Sequence, residues 1–239
     1  MKKIFFILII LNFISFAPLA AQEQANDFLY ISACKNEKIN PQLIFSTSYG
    51  RLQYDNSYSR ENLTQLGNNM GMFEKGDLAS GLALVDIASE YELSVAGRKM
   101  RNGAVCLIPQ ELNVYIGFQN PVIYLASDLE PGSCLYNLVV RHEQVHQQIN
   151  VNALEYFIPL IYDRIKIIIS QMEPMYLRDG RMVKEGTNEM TAYYADQINA
   201  LVEKFKQEIL IEQKKLDNKR HYKLESTICQ NFNKKMKRK

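Results

Sequence analysis

Two histidines and a glutamate in the segment Arg141–His146, RHEQVH, have the residue types and the spacing of a metal centre. Four residues are about one turn of an α-helix, so His142 and His146 project from the same face and can bind one ion. Glu143 lies beside them, within reach of a water molecule bound to that ion. Zinc takes neutral imidazole readily and lowers the pKa of a bound water to about 7, and a glutamate can act as the general base. The pattern therefore predicts a zinc ion as cofactor and hydrolytic chemistry.

This geometry requires the motif to lie on a helix, and the flanking sequence predicts one. A Pro-Gly pair breaks the chain just before Ser133, which can cap a helix, and helical spacing runs from Leu135 to about Asn150. A second helix is expected to follow as far as Ser170, bent or started at Pro159.

A further long helix is predicted towards the carboxyl end of the chain, with Thr187 or Asn188 as its cap. Apolar residues recur there at intervals of three and four and give the helix one apolar stripe. The stripe consists of Ala195, Ile198, Val202, Phe205 and Ile209. We expect it to pack in the core.

Strands are predicted in the middle of the chain. The β-branched and aromatic runs Ala104–Ile108, Glu111–Phe118 and Val122–Ala126 are separated by prolines and favour a small antiparallel sheet. The preceding segment, Leu78–Glu92, suits a helix because alanines separate its apolar residues. No repeat or linker divides the chain, so the sequence predicts one α+β domain over residues 22–239, a small antiparallel sheet followed by a helical bundle that carries the motif.

The first 21 residues have the composition of a signal peptide. A positive start at Lys2 and Lys3 is followed by an apolar run from Ile4 to Phe16 and by small residues before Gln22, where we expect cleavage. The run is shorter than the roughly 20 residues that cross a bilayer, and no later segment is predicted to span one. The protein is therefore expected in the periplasm or outside the cell, without stable membrane insertion.

The charge of the chain argues against nucleic acid as a partner. Lysine and arginine number 28 against 26 aspartates and glutamates, and Lys2 and Lys3 account for the excess. After cleavage the chain is neutral and has no overall attraction for nucleic acid or for an anionic membrane. The carboxyl-terminal tail, residues 234–239, is mostly basic and is expected to be solvated.

Four cysteines in an exported chain are expected to form two disulfides. Cys34, Cys106, Cys134 and Cys229 allow three pairings, and none of their spacings resembles a CxxC metal clip. We favour Cys34 with Cys106 and Cys134 with Cys229, a pairing that would tie the carboxyl-terminal segment to the helix that carries the motif.

On the HExxH residues 142–146 the chain resembles the zincin metallopeptidases. The resemblance implies that His142 and His146 are zinc ligands, that Glu143 is the catalytic base and that the substrate is a peptide or protein. It also implies a strand that lines the cleft and holds extended substrate by main-chain hydrogen bonds, for which Val122–Ala126 is the candidate. The longer segment Val122–Ile149 is similar to small, uncharacterised exported bacterial proteins described as zinc-dependent proteases.

Within the zincins, the resemblance also bears on the third metal ligand. The metzincin pattern HExxHxxGxxH is excluded, because Ile149 and Asn152 stand where it requires glycine and histidine. A gluzincin takes a glutamate from a later helix, often preceded by asparagine, and Glu189 matches that description. The same subgroup implies an acid that orients a ligand histidine, for which Asp196 is the candidate.

Two other glutamates remain alternatives for the third ligand, because Glu189 can equally be a first-turn residue that complements the helix dipole. These are Glu185 and Glu155. Glu155 would lie about 13 Å beyond His146 on an unbroken helix, too far to share the ion.

The resemblance further implies a donor for the oxyanion that forms during attack, since a histidine or tyrosine does this in zincins. His221 is the remaining histidine and the candidate for this catalytic role. Tyr193 and Tyr194 are rival donors.

Together these features favour an exported zinc-dependent hydrolase, a peptidase in which Glu143 activates a metal-bound water. The alternative is a noncatalytic periplasmic binding or assembly protein whose HExxH helix holds a structural metal or none. A structural site is usually closed by four protein ligands, whereas a catalytic site keeps one position open for water. A toxin or a hydrolase of peptide cross-links in the cell wall would use the same zinc chemistry.

Overall fold

The computed structural model describes residues 31–72, 78–218 and 227–229. The predicted signal peptide, His221 and the basic tail lie outside these residues. Residues 31–35 are helical, and the later elements follow in the order β1 Gln42–Ser46, β2 Gln53–Asp55, α1 Arg60–Asn69, β3 Gly81–Lys99, β4 Val105–Leu125, α2 Cys134–Ser170, β5 Met175–Leu177, a 3-10 turn Gly180–Met182 and α3 Val183–Leu216. The chain therefore combines helices and strands, as predicted.

The five-stranded sheet is built around β4 and is mixed. β3 pairs antiparallel with β4, from Gly81 opposite Leu125 to Lys99 opposite Val105. β1 and β2 pair parallel with β4, and β5 pairs antiparallel with the first residues of β4. The prediction of an antiparallel sheet is therefore wrong for β1 and β2. The reason is that β3 and β4 form a hairpin, so β4 returns in the direction in which β1 and β2 already run.

The three predicted strands merge into β4, which is 21 residues long and contains both prolines that were expected to separate them. Pro109 and Pro121 each lie at a register shift of the ladder with β3. Pro109 pairs with Val95 at one shift, and Pro121 lies opposite the shift between Leu84 and Asp86. A bulge leaves main-chain groups outside the ladder, so a residue without an N–H group is tolerated there. The prolines bend the strand without ending it.

The helix predicted over Leu78–Glu92 is wrong, because residues 81–92 belong to β3 and residues 78–80 are not helical. Its apolar residues alternate with polar ones from position 85 onward, and that alternation is the period of a strand. The side chains that pack against or within the main core are Val85, Ile87, Tyr91, Leu93 and Val95. Ala88 and Ser89 interrupt this alternation in the sequence.

The two long helices are more continuous than predicted. α2 runs for 37 residues through Pro159, and its cap is Ser133, whose hydroxyl accepts from the main-chain N–H of Tyr136 at 3.1 Å, as predicted. α3 runs for 34 residues and begins at Val183, before the predicted caps. Each helix therefore spans roughly 50 Å at about 1.5 Å per residue.

α2 and α3 run antiparallel and pack on the sheet through one apolar core. Phe205 of α3 lies 5.5 Å from Phe157 of α2 and 6.1 Å from Phe118 of β4, measured between ring centroids. The predicted stripe of α3 is confirmed, since Ile198 and Val202 are fully buried beside Phe205. Their partners on the sheet include Leu112, Val114 and Ile116, and those on α2 include Leu154, Ile161, Ile165 and Ile168.

Both favoured disulfides are present. Cys34 is bonded to Cys106 and Cys134 to Cys229, with 5.6 Å between the Cα atoms of each pair. Two disulfides fit an oxidising compartment. Within residues 31–72, 78–218 and 227–229, we find no helix with the length and apolarity that crossing a bilayer requires.

Truncating the ring at the centre of this core should be costly. We expect Phe205→Ala to lower the free energy of unfolding by about 3–5 kcal/mol, because it removes a fully buried ring from between a strand and a helix. The neighbouring substitution Lys206→Ala should change it by less than about 0.5 kcal/mol, since Lys206 makes only an exposed ion pair with Glu203. Urea unfolding followed by circular dichroism measures both, and equal losses would contradict this packing.

Candidate metal centre

The two motif histidines lie on one face of α2, as their spacing predicted. His142 and His146 are both buried, their ring centroids are 4.8 Å apart, and their Nε2 atoms are separated by 3.0 Å. Each ring therefore directs the same nitrogen towards a common point.

Asp217 supplies a carboxylate oxygen to that point. Its Oδ1 lies 3.1 Å from Nε2 of His142 and 3.0 Å from Nε2 of His146. Asp217 directly follows the last residue of α3, and its side chain is 38% exposed. We call His142, His146 and Asp217 the ligand group, because their three atoms form a nearly equilateral triangle that can hold a metal ion.

The electrostatics of the ligand group favour a positive charge. The carboxyl end of a helix carries a partial negative charge, and Asp217 adds a full one at the end of α3. Burial by itself lowers the pKa of His146, but the hydrogen bonds and charge of Asp217 and the contact with Gln213 raise it above its usual value. The same surroundings that attract a proton attract a cation.

Glu143 is buried beside the ligand group and is not part of it. Burial raises the pKa of Glu143 to about 7, while His146, His142 and a backbone hydrogen bond from Ala83 act in the opposite direction. A carboxylate with a pKa near neutrality is suited to accept a proton and to return it.

The contact between Glu143 and β3 depends on a glycine that the sequence did not single out. A Cβ atom at Gly81 would lie 2.6 Å from Oε1 of Glu143 and 2.7 Å from Cγ1 of Val139. The missing side chain therefore lets β3 approach α2. An isolated glycine in a strand is the usual sign of such an approach, but the segment was interpreted as helical.

The strand beside the site is β3, which corrects the expectation for Val122–Ala126. Residues Val122, Ile123 and Tyr124 of β4 are paired on both sides, with β2 and with β3. No edge is free there to bind another chain. β3 pairs only with β4 among the described strands, and on its outer edge the N–H of Ala83 donates to Glu143.

The structure does not bring Glu189, the predicted third ligand, to the histidines. Glu189 is exposed near the start of α3, whereas Gln213 near its end contacts His146. The 24 residues between them correspond to roughly 36 Å along an unbroken helix. Glu185, Tyr193, Tyr194 and Asp196 lie on the same distant half of α3. The carboxylate that meets the histidines is instead Asp217.

The remaining candidates are also accounted for. Glu155 lies further along α2, where its carboxylate accepts from the hydroxyl of Tyr49 at 3.3 Å, and it is outside the ligand group, as its spacing predicted. His221 falls outside the described residues, so its catalytic role remains a prediction. No sequence signal singles out Asp217, because Lys214 and Lys215 in the same turn already complement the negative end of the helix dipole.

Comparison of the chain with protein-family models, with curated proteins and with solved structures finds no match. The resemblance to zincins therefore rests on the motif segment itself.

The close approach at Gly81 can be tested without a substrate. We expect Gly81→Ala to destabilise the fold by about 1–3 kcal/mol, because the new methyl group would force β3 away from Val139 and Glu143. Gly97→Ala is the matched control on the same strand, since its Cβ would meet Val105 at an ordinary 3.5 Å. Thermal and urea unfolding of both variants compare them. If Gly81→Ala were as stable as Gly97→Ala, β3 would not approach α2 in this way.

Proposed function

We propose that this protein is an exported zinc-dependent hydrolase that cleaves peptide bonds. The observation that carries the proposal is the convergence of the ligand group with a buried glutamate beside it. Three protein ligands leave a fourth position for water, which is the arrangement of catalytic rather than structural zinc sites.

The donor atoms of the ligand group fit zinc. Tetrahedral zinc bonded at roughly 2.0–2.1 Å to two imidazoles and a carboxylate holds the donor atoms about 3.3 Å apart. The separations of 3.0–3.1 Å are close to that value, so small shifts are enough to accommodate the ion. Two histidines and one carboxylate also bind iron in some oxygenases, and metal analysis distinguishes the two ions.

Glu143 is the group that moves the proton. When bound, zinc would polarise the scissile carbonyl and acidify its water ligand. Glu143 would accept a proton from the attacking water and return it to the nitrogen of the leaving amine. Glu143 is buried against Gly81, and this burial raises the pKa of its carboxyl to about 7 without a metal ion, whereas a bound zinc ion would lower that pKa.

The unpaired edge of β3 supports a peptide as substrate. An extended peptide can add to a free strand edge through main-chain hydrogen bonds, whatever its side chains are. The N–H of Ala83 on this edge donates to Glu143, so a peptide bound along the remaining edge of β3 would lie next to the base.

Export is the remaining part of the proposal. The segment at residues 1–21 has the composition of a signal peptide, and two disulfides fit the oxidising conditions of the periplasm or the exterior.

Metal content tests the ligand group. We expect the purified wild-type protein to carry one zinc ion per chain by mass spectrometry, and His142→Ala, His146→Ala and Asp217→Ala to lose zinc affinity by at least about 100-fold, because each removes a ligand. Glu189→Ala is the control and should bind zinc like the wild type, since Glu189 lies at the other end of α3. Normal affinity in Asp217→Ala, or a wild-type protein that holds iron or no metal, would contradict the proposed centre.

Substitution of the base separates catalysis from metal binding. Glu143→Gln keeps the shape of the side chain and removes its capacity to accept a proton, so we expect zinc to remain bound while hydrolysis falls by about 100-fold to 10,000-fold. The substrate is a synthetic peptide mixture, and mass spectrometry detects the cleavage. A zinc-loaded wild-type protein that cleaves no peptide would leave the noncatalytic alternative in its place.

A further inference from the structure

A chain of side-chain amides lies behind His146, on the side of the ring away from the ligand group. Oε1 of Gln213 contacts Nδ1 of His146, and Nε2 of Gln213 donates to Oδ1 of Asn150 at 2.7 Å. Nδ2 of Asn150 in turn donates to Oε1 of Gln147 at 3.2 Å, and both of these side chains are buried. We call Gln213, Asn150 and Gln147 the amide chain.

One main-chain atom fixes the direction of the amide chain. The carbonyl oxygen of His146 can only accept a hydrogen bond, and Nε2 of Gln213 donates to it at 3.0 Å. The amide group of Gln213 must therefore direct its nitrogen to that carbonyl and its oxygen to the imidazole. If it were turned over, its oxygen would face that carbonyl oxygen at 3.0 Å, and two acceptors at this distance repel each other.

The orientation of Gln213 decides which nitrogen of His146 carries the proton. An amide oxygen only accepts, so Nδ1 of His146 must be the donor. In the neutral ring Nε2 then carries the lone pair, and Nε2 is the atom that lies in the ligand group.

We propose that Gln213 is a positioning residue for the metal ion, which holds His146 as the Nδ1–H tautomer and aims the lone pair of Nε2 at the ion. The inference rests on the proposed metal centre. Gln213 and Asp217 lie one helical turn apart, so the end of α3 supplies one ligand and the group that orients another. When the last turn of α3 packs against α2, it therefore both completes the ligand group and sets the tautomer of His146.

Three variants separate this role from packing. Gln213→Met keeps the length of the side chain without an acceptor for Nδ1–H, and we expect zinc affinity to fall by about 10-fold to 100-fold in a chelator competition assay. Gln213→Glu keeps the acceptor for Nδ1–H but places its second oxygen against the carbonyl oxygen of His146, so it should bind zinc more tightly than Gln213→Met while lowering the free energy of unfolding. Gln148→Met is the control, because Gln148 bonds only to Asn152 on the exposed face of α2, and it should leave affinity unchanged.

The tautomer can be read in metal-free Asp217→Ala, because in the wild type the carboxylate of Asp217 faces Nε2 of His146 and competes with Gln213 for the ring proton. The chain has three histidines, so a two-bond 1H–15N correlation spectrum contains few ring signals, and those of His146 are the ones lost in His146→Ala. We expect protonated Nδ1 at a pH where the ring is neutral. If Gln213→Met does not fold, this measurement still tests whether Gln213 holds His146 as the Nδ1–H tautomer.

The outcomes for the two proposals differ. A proton on Nε2 of His146 in metal-free Asp217→Ala, or equal zinc affinity in Gln213→Met and Gln148→Met, overturns the role of Gln213 even if the protein is a zinc hydrolase. Zinc binding that depends on Gln213 without any peptide cleavage upholds that role and removes the proposed activity. A wild-type protein that binds no zinc overturns both.

Discussion

The convergence of two imidazole nitrogens and one carboxylate oxygen is the constraint on which this architecture depends. These atoms lie 3.0–3.1 Å apart, and bringing them together is unfavourable unless a proton or a cation lies between them. The energy that holds them there comes from elsewhere, from the apolar contacts of α2, α3 and β4 around Phe118, Phe157 and Phe205. The core therefore sustains a polar arrangement that would not form by itself.

One helix presents the motif histidines and Glu143 to different neighbours, because adjacent residues point about 100° apart around its axis. His142 faces the end of α3, while Glu143, the next residue, faces β3 at Gly81. The site needs a different neighbour on each side of α2, a carboxylate on one and a strand without a side chain on the other. A motif of five residues thus depends on partners from distant parts of the chain.

The features that could be predicted from the sequence are the local ones. The spacing of His142 and His146, the cap at Ser133 and the apolar stripe of α3 follow from helical periodicity alone. Glu189 matches the gluzincin pattern of a glutamate after an asparagine on a later helix, but local periodicity does not say which end of a 34-residue helix meets the motif. Antiparallel packing of α2 and α3 brings the carboxyl end of α3 there, and with it Asp217. The parallel pairing of β1 and β2 was likewise set by tertiary contacts.

Asp217 is the weakest point of the ligand group, since it lies just beyond the last helical hydrogen bonds, where helices fray. The Cys134–Cys229 disulfide bears on this weakness, because it returns the chain after Asp217 to the first residue of α2 and closes a loop of 95 residues that contains all three ligands. Such a bond removes conformations in which the end of α3 drifts away from the histidines. The oxidising conditions that form the disulfide therefore also favour assembly of the ligand group, which links the compartment of the protein to the chemistry of its site.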